Sequence, residues 1–523
     1  MDGRAAPTSL TRRDVLRLAA LGGGAALVAG CESTSHPAPT PSVSASITSA
    51  APTGPSSPSA PPWTQLRELM TGRLLLPGQS GYDTARLSAN PRYDGTHPAA
   101  VARCVSAADV TAAVAFARNQ RVPFSVRSGG HSYAGWSTGT DLVVDVSGLA
   151  SVRADARAGS VRVGAGARLV DVYSGVAAAG LGIAAGSCPS VGLAGLTLGG
   201  GVGVLSRAWG LTCDAITSYQ LVTADGRVLE VDAHSQPDLY WAGKGGGGGS
   251  FGVVTAFTIA ARPAPALTLW AVHWPWSAAA EVVEAWQHWA PVTDARCWST
   301  CKVQAGGGPP SVLVAGTWAG PDSELAAVLA PLLSAVGTAA TSTSSRRHAY
   351  LDAMLVEAGC SGAGCHLPPT GVLQREALAA TSHVPAAPMS TTAARALVAA
   401  VETAGAAPGL KLATASLDAL GGAVAHVDPA ATAFVHRTAP FTVQYTATWS
   451  DAALPGARFD AVARGMRARM TPYLGEGAYV NYCDAALTGW EQAYWGSNYG
   501  RLQTIKAAID PDGVFTFPQS VRA

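Results

Sequence analysis

Three glycine-rich stretches hold most of the side chains in this chain whose types and spacing could do chemistry. The first is Arg127-Ser128-Gly129-Gly130-His131-Ser132-Tyr133-Ala134-Gly135. A strand that ends in such small residues frees successive backbone N–H groups to face an anion such as a pyrophosphate. The plainer alternative is a turn carrying a surface histidine. The second, Gly186-Ser187-Cys188-Pro189-Ser190-Val191-Gly192, continues through Gly195 to Gly199-Gly200-Gly201-Val202-Gly203 and presents a cysteine. The third runs from Gly243-Lys244-Gly245 through Gly249-Ser250-Phe251-Gly252. Gly243, Gly245 and Gly248 satisfy G-x-G-x-x-G formally, but no helix is expected to follow and no acidic residue lies about 20 positions on. Trp241 before this run and the apolar strand after it place it inside a domain, not in a flexible linker.

The remaining cysteines and histidines suggest structure more than catalysis. Of nine Cys, setting aside Cys31 and Cys188 leaves an odd number, so at least one further thiol stays free. Cys360 and Cys365 predict a small disulfide-closed loop in an extracytoplasmic protein. His366 follows them, but haem attachment uses C-x-x-C-H. Cys297 and Cys301, four apart on an expected strand, are too distant to bridge. No set of His, Cys and carboxylate has metal-ligand spacing, so no metal site is expected. Lys plus Arg number 35 against 34 Asp plus Glu, with no basic stripe, which argues against a nucleic-acid partner.

These clusters must be positioned by the elements around them. With 48% hydrophobic residues over 523, the chain can build two to four cores or one large two-domain enzyme. Ser106-Ala107-Ala108-Asp109 has capping-box spacing and opens a helix to about Gln120. Strands are expected over 122–126, 142–146 and 161–163, and a helix over 169–179. Residues 220–231 read as a hairpin turning tightly at Asp225-Gly226, and a strand follows over 252–260. This mixture predicts an α+β domain over 63–262. From Pro263 the texture changes. Strands are expected over 270–276, 311–318 and 441–449 and helices over 278–289 and 324–336, giving a sheet covered by helices on one face through residue 478. The final segment, 479–523, is read as helical from Asp484 to Ile509.

Several motifs in order make the chain resemble the berberine bridge enzyme-like family, whose FAD domain is of the vanillyl-alcohol-oxidase (PCMH) type. They are R-S-G-G-H at Arg127–His131, G-x-C-P-x-V-G at Gly186–Gly192, the third glycine run with Phe251-Gly252-Val253-Val254, and the C-terminal set. That set is Tyr479-Val480-Asn481-Tyr482-Cys483-Asp484, Gly496-Ser497-Asn498-Tyr499-Gly500-Arg501-Leu502, Ile505-Lys506, and Asp510-Pro511 to Pro518-Gln519-Ser520. The resemblance covers residues 65–523. It implies FAD bonded covalently twice, through His131 to the flavin 8α carbon and through Cys188 to C6. It implies a cradle of Arg127, Ser128, Gly129, Gly130, Ser132, Gly135, Gly186, Ser187, Val191, Gly192, Gly195, Gly200, Gly201, Gly203, Gly249, Gly252, Val253 and Val254, with Asn498 and Tyr499 helping to hold the ring. The chain departs from the family at Lys244, where Arg is usual, at Ser250, where Asn is common, and at Ala194-Gly195-Leu196, where G-G-H is frequent.

The resemblance also points to Tyr482 as the base of an alcohol oxidation. On residue type alone Tyr482 would read as a core aromatic with a satisfied hydroxyl. A phenol of ordinary pKa near 10 is a poor base at neutral pH, so it needs an activating neighbour. Thr442, Gln444 and Thr446 share one face of the 441–449 strand. The first two are expected to line the substrate site, but this face lacks the carboxylate that some relatives use to assist the base. In relatives a Val at the position of Val191 leaves the flavin open to O₂. The implied activity is an oxidase acting on an alcohol, such as the C1 hydroxyl of a sugar or oligosaccharide, and reducing O₂ to H₂O₂. Oxidative tailoring of a secondary metabolite and an inactive surface-binding protein are the alternatives.

The N-terminus reads as an address. Arg12-Arg13 precede an apolar stretch, 18–30, too short for a resident membrane helix. Twin arginines point to Tat export. Leu27-Val28-Ala29-Gly30-Cys31 resembles a lipobox, so the only expected membrane contact is a lipid on Cys31; an ordinary cleaved signal is the alternative. Residues 32–62 are rich in Ser, Thr, Pro and Ala and read as a tether.

Overall fold

A computed structural model describes residues 61–360 and 364–523. The expected signal segment, with Cys31, and the tether up to Ala60 lie outside them. Among the described residues no helix is long and apolar enough to cross a membrane.

The chain from Trp63 onward builds three main sheets. A four-stranded sheet takes the order Arg73–Leu75, Ala100–Arg103, Leu142–Asp145, Phe124–Arg127, and its last two pairings are parallel. Parallel strands need a crossover, here the Ala107–Gln120 helix. The Ser106 hydroxyl accepts from Asp109 N–H at 3.1 Å, as the capping spacing predicts. The Leu142–Asp145 strand is buried throughout, which is why Leu142-Val143-Val144 is an unbroken apolar run.

A five-stranded antiparallel sheet follows, in the order Val152–Asp155, Ser160–Gly164, Val253–Ala260, Ile216–Val222, Val228–Asp232. Its hairpin differs from the expected two-residue turn. Thr223 N–H donates to Arg227 O and Gly226 N–H to Thr223 O, enclosing three residues with Gly226 at φ 84°. The Asp225 carboxylate accepts from Arg227 N–H and the Thr223 hydroxyl, which favours this wider loop.

The seven-stranded antiparallel sheet has the order Ser342–His348, Leu267–Trp274, Ser311–Trp318, Cys297–Ala305, Leu412–Ala419, Phe441–Trp449, Ala377–His383. Helices Ala279–Trp289, Asp322–Val336, Thr391–Gly405 and Gly456–Leu474 pack on one face. The period-two alternation sorts the strands cleanly. Cys301, Val303, Ala415, Leu417, Val443 and Tyr445 are buried under the helices. Lys302, Ser416, Asp418, Thr442 and Gln444 lie on the opposite face, towards the glycine clusters.

The C-terminal segment is less helical than expected. Helices Trp490–Trp495 and Tyr499–Ile509 are separated by a short turn at Gly496–Asn498. Gly489 and Gly496, at φ 62° and 49°, cap and break the run. Beyond it Lys506, buried, donates to Asp510 Oδ2 at 2.6 Å and to the carbonyls of Ser250 and Phe515 at 2.7 Å each. This clamp returns the C-terminus to the third glycine run. Cys360 and Cys365 are disulfide-bonded, and Cys297 and Cys301 stay unbridged.

Candidate active site

The three glycine clusters and the C-terminal segment converge on one cavity of about 300 Å³. Ser128, Gly129, Gly130, His131 and Ser132 line it, with Val191, Gly192 and Gly195, then Gly246–Ser250, Gly252 and Val254. Val480–Cys483 and Phe515–Phe517 complete the wall.

The lining fits a large, flat, polar-ended cofactor. A Cβ at Gly195 would meet nothing within 4 Å, so this glycine borders open space and not neighbouring chain. At Gly248 a Cβ would touch only Leu198, at 3.7 Å. Gly247 and Gly249, at φ 83° and 84°, hold a left-handed backbone that would strain other residues, and such turns expose consecutive N–H groups. Ser137 Oγ, also on the wall, is buried without a hydrogen-bond partner among the described residues.

Other expected cradle residues support the cavity from behind. Arg127 is a buried strut, donating to Asp145 Oδ2 at 2.8 Å and to the carbonyls beneath the loop. Gly135 packs against the Tyr93 ring, and a Cβ there would lie 2.6 Å from it. Gly186 O accepts from the Tyr173 hydroxyl, and Gly201 N–H donates to the Tyr479 hydroxyl at 2.9 Å. A Cβ at Gly203 would lie 2.3 Å from Ala185 O. Gly200, Ser187 and Val253 also fall outside the wall. Asn498 is committed to Pro429 O and Thr432 O at 2.8 and 3.1 Å. Tyr499 acts at one remove, stacking on Trp495 at 5.8 Å, and it is Trp495 that lines the cavity.

His131 and Cys188 come together. His131 Nε2 lies 3.0 Å from Ser190 Oγ, and Cys188 Sγ lies 3.6 Å from the same oxygen. His131 faces the cavity, whereas Cys188 is exposed beyond its enclosed part. Burial, reinforced by the Arg168 guanidinium, pushes the imidazole down to about 4 and keeps it neutral.

Tyr482 stands where the cavity meets the seven-stranded sheet. Its hydroxyl donates to Asp418 Oδ2 at 3.2 Å, and Thr442 Oγ1 donates to the same oxygen at 3.4 Å. The missing carboxylate is therefore present, but on the neighbouring Leu412–Ala419 strand, where Asp418 pairs with Thr442. Thr414, Ser416 and Asp418 alternate with apolar residues, a period-two signal that could have revealed this strand. Burial pushes Asp418 up to about 6, opposed by the Lys302 ammonium. Burial and the Asp418 charge raise Tyr482 well above its ordinary value, so it stays protonated and donates. The Tyr133 ring stacks on Tyr482 at 5.9 Å, and the Tyr133 hydroxyl accepts from Gln444 Nε2. Gln444 thus reaches the site through Tyr133, and Thr442 through Asp418.

Similarity to known proteins agrees with this geometry. Residues 98–232 match the family described as FAD binding domain, and residues 478–522 match berberine and berberine like. An uncharacterized FAD-linked oxidoreductase of Bacillus subtilis is 33% identical over 462 residues, covering 86% of this chain and 97% of its own. The chain belongs to the berberine bridge enzyme-like family of FAD-linked oxidoreductases. A chitooligosaccharide oxidase from Gibberella zeae is 29% identical, covering 81% of this chain and 87% of its own. Among solved structures, Physcomitrella patens BBE-like 1 superposes with a TM-score of 0.79 at 29% identity, covering 88% of this chain and 98% of its own. The protein is an α+β FAD-linked oxidoreductase with a PCMH-type FAD-binding domain.

Proposed function

We propose that this enzyme is an oxidase that removes hydride from the C1 hydroxyl carbon of a sugar or oligosaccharide. The observation that carries the reading is the Tyr482–Asp418 pair at the junction of a glycine-lined FAD cavity and a polar sheet face. When bound, FAD supplies the two-electron acceptor, with dioxygen as the final oxidant leaving as H₂O₂. Ser128–Ser132, Val191–Gly195 and Gly247–Ser250 hold it, with covalent bonds to His131 and Cys188.

Asp418, largely ionised at neutral pH, accepts the Tyr482 proton. Tyr482 Oη can then take the proton of a substrate hydroxyl without becoming a free phenolate. Tyr133 and Tyr479 fix the Tyr482 ring by stacking and edge contact, at 5.9 and 5.0 Å.

The sheet face beside this pair suits a hydroxyl-rich ligand. Cross-strand pairing aligns Thr300, Asp418 and Thr442 in one row, and Lys302, Ser416, Gln444 and Ser382 in the next. Gln304, Thr414 and Thr446 form a third. Polar residues over adjacent rows favour a carbohydrate over an apolar aromatic alcohol. The similar chitooligosaccharide oxidase lends weight to that class.

Peroxide release with cello-, xylo- and chito-oligosaccharides and with aromatic alcohols tests the reading. Turnover of at least one sugar supports it, and turnover of aromatic alcohols alone overturns it. We further propose Tat export and lipidation at Cys31. The mass of the mature N-terminal peptide should show a diacylglyceryl cysteine there, and an unmodified Cys31 would exclude the anchor.

A further inference from the structure

We infer that Ser190 is the positioning residue for flavin attachment, one hydroxyl aligning both His131 and Cys188. This rests on the two-bond reading above and assigns the step to a residue outside the attachment pair.

Three observations converge on it. Ser190 Oγ is 3.0 Å from His131 Nε2 and 3.6 Å from Cys188 Sγ, so it contacts both attachment side chains. The residue is buried, with 5% of its surface exposed, and Arg168 Nη1 donates to its carbonyl at 3.3 Å, which fixes the loop around it.

A serine hydroxyl can accept one hydrogen bond and donate another. Accepting from His131 Nε2–H would select the tautomer whose lone pair is on Nδ1. Donating to Cys188 Sγ would hold the sulfur on the same oxygen that orients the imidazole. The neutral imidazole described above is the form that can attack carbon.

Each attachment forms one bond, from the histidine nitrogen to the 8α carbon or from the cysteine sulfur to C6. Each breaks one flavin C–H bond and one N–H or S–H bond. Two electrons and two protons are released per bond and leave with dioxygen as H₂O₂.

The test compares wild type with Ser190→Ala, Ser190→Thr and Ser190→Val. The last two are near-isosteric and differ in the hydroxyl. Freshly expressed protein is incubated with FAD in air, sampled over time, digested and analysed by mass spectrometry. The readout is FAD bridging the His131 and Cys188 peptides, with thermal melting as a check on folding. Losing a hydrogen bond of ordinary net strength predicts bridging slowed by about tenfold in Ser190→Ala and Ser190→Val. Ser190→Thr should recover most of the rate. Bridging at the wild-type rate in folded Ser190→Val overturns the role of Ser190 alone. Absence of any bridged peptide in wild type overturns the two-bond reading and this inference with it.

Discussion

Tyr482 and Asp418 meet across two segments 64 residues apart, with the phenol hydroxyl donating to the carboxylate at 3.2 Å. Each resolves a difficulty of the other. A phenol alone is too weak a base, and a buried carboxylate alone is poorly solvated. Paired, they form a two-step acceptor beside the FAD cavity.

Replacing Tyr482 with Phe removes the first acceptor while keeping the ring that stacks on Tyr133. FAD should remain bound and the melting temperature should stay close to wild type. Flavin reduction by the best sugar of the panel should fall by about 10²-fold or more, the scale of general-base catalysis. Reduction at the wild-type rate in stopped flow would remove Tyr482 from the mechanism.

His131 and Cys188 should each retain flavin independently. After acid denaturation, His131→Ala and Cys188→Ala should both keep colour in the pellet, and the double variant should lose it. Complete release of FAD from either single variant would contradict two bonds.

The ionisation of Asp418 also has a cost that can be measured. Burial raises its pKa from 3.8 to about 6 in the folded protein. A raised acid favours the folded state below its unfolded value, and that advantage is lost as pH rises through the folded one. The ionised carboxylate therefore opposes folding at pH above about 6, by roughly 3 kcal/mol at most. Asp418→Asn should melt higher than wild type at about pH 7.5, and the gain should shrink as pH falls towards about 4. An equal gain at both pH values would mean that ionisation is not its source.

Val191 lines the cavity from the Cys188 loop, in a close-packed setting where one added methylene is felt. Val191→Leu should slow reoxidation by O₂ and leave reduction by substrate nearly unchanged. Equal reoxidation rates would leave Val191 as packing only.

Much of this organisation was legible in the sequence because it is local. The Ser106 cap, the buried Leu142–Asp145 run and the alternating Phe441–Trp449 strand follow from residue type and period. The His131 and Cys188 loops were visible for the same reason, as unusual residues within glycine runs. Asp418 escaped because its partnership is non-local. The alternation of Thr414, Ser416 and Asp418 marks a strand, but the role of this carboxylate arises only when two strands register Asp418 beside Thr442 and the chain end brings Tyr482 over them. The contacts of Asn498 are non-local in the same way. The resemblance placed it near the ring, but its amide is spent on the carbonyls of Pro429 and Thr432.

The Tyr482–Asp418 relay is the central claim, and the pH dependence of flavin reduction tests it most directly. Anaerobic stopped-flow traces would be collected from about pH 5 to about pH 8.5 for wild type and Asp418→Asn, with the best sugar of the panel as reductant. In wild type the rate should rise as pH passes through about 6, the pH at which Asp418 becomes an acceptor. In Asp418→Asn the rate should be about 10²-fold lower near neutral pH and should lack that inflection. An Asp418→Asn enzyme that keeps both the rate and the inflection would show that the proton leaves by another route.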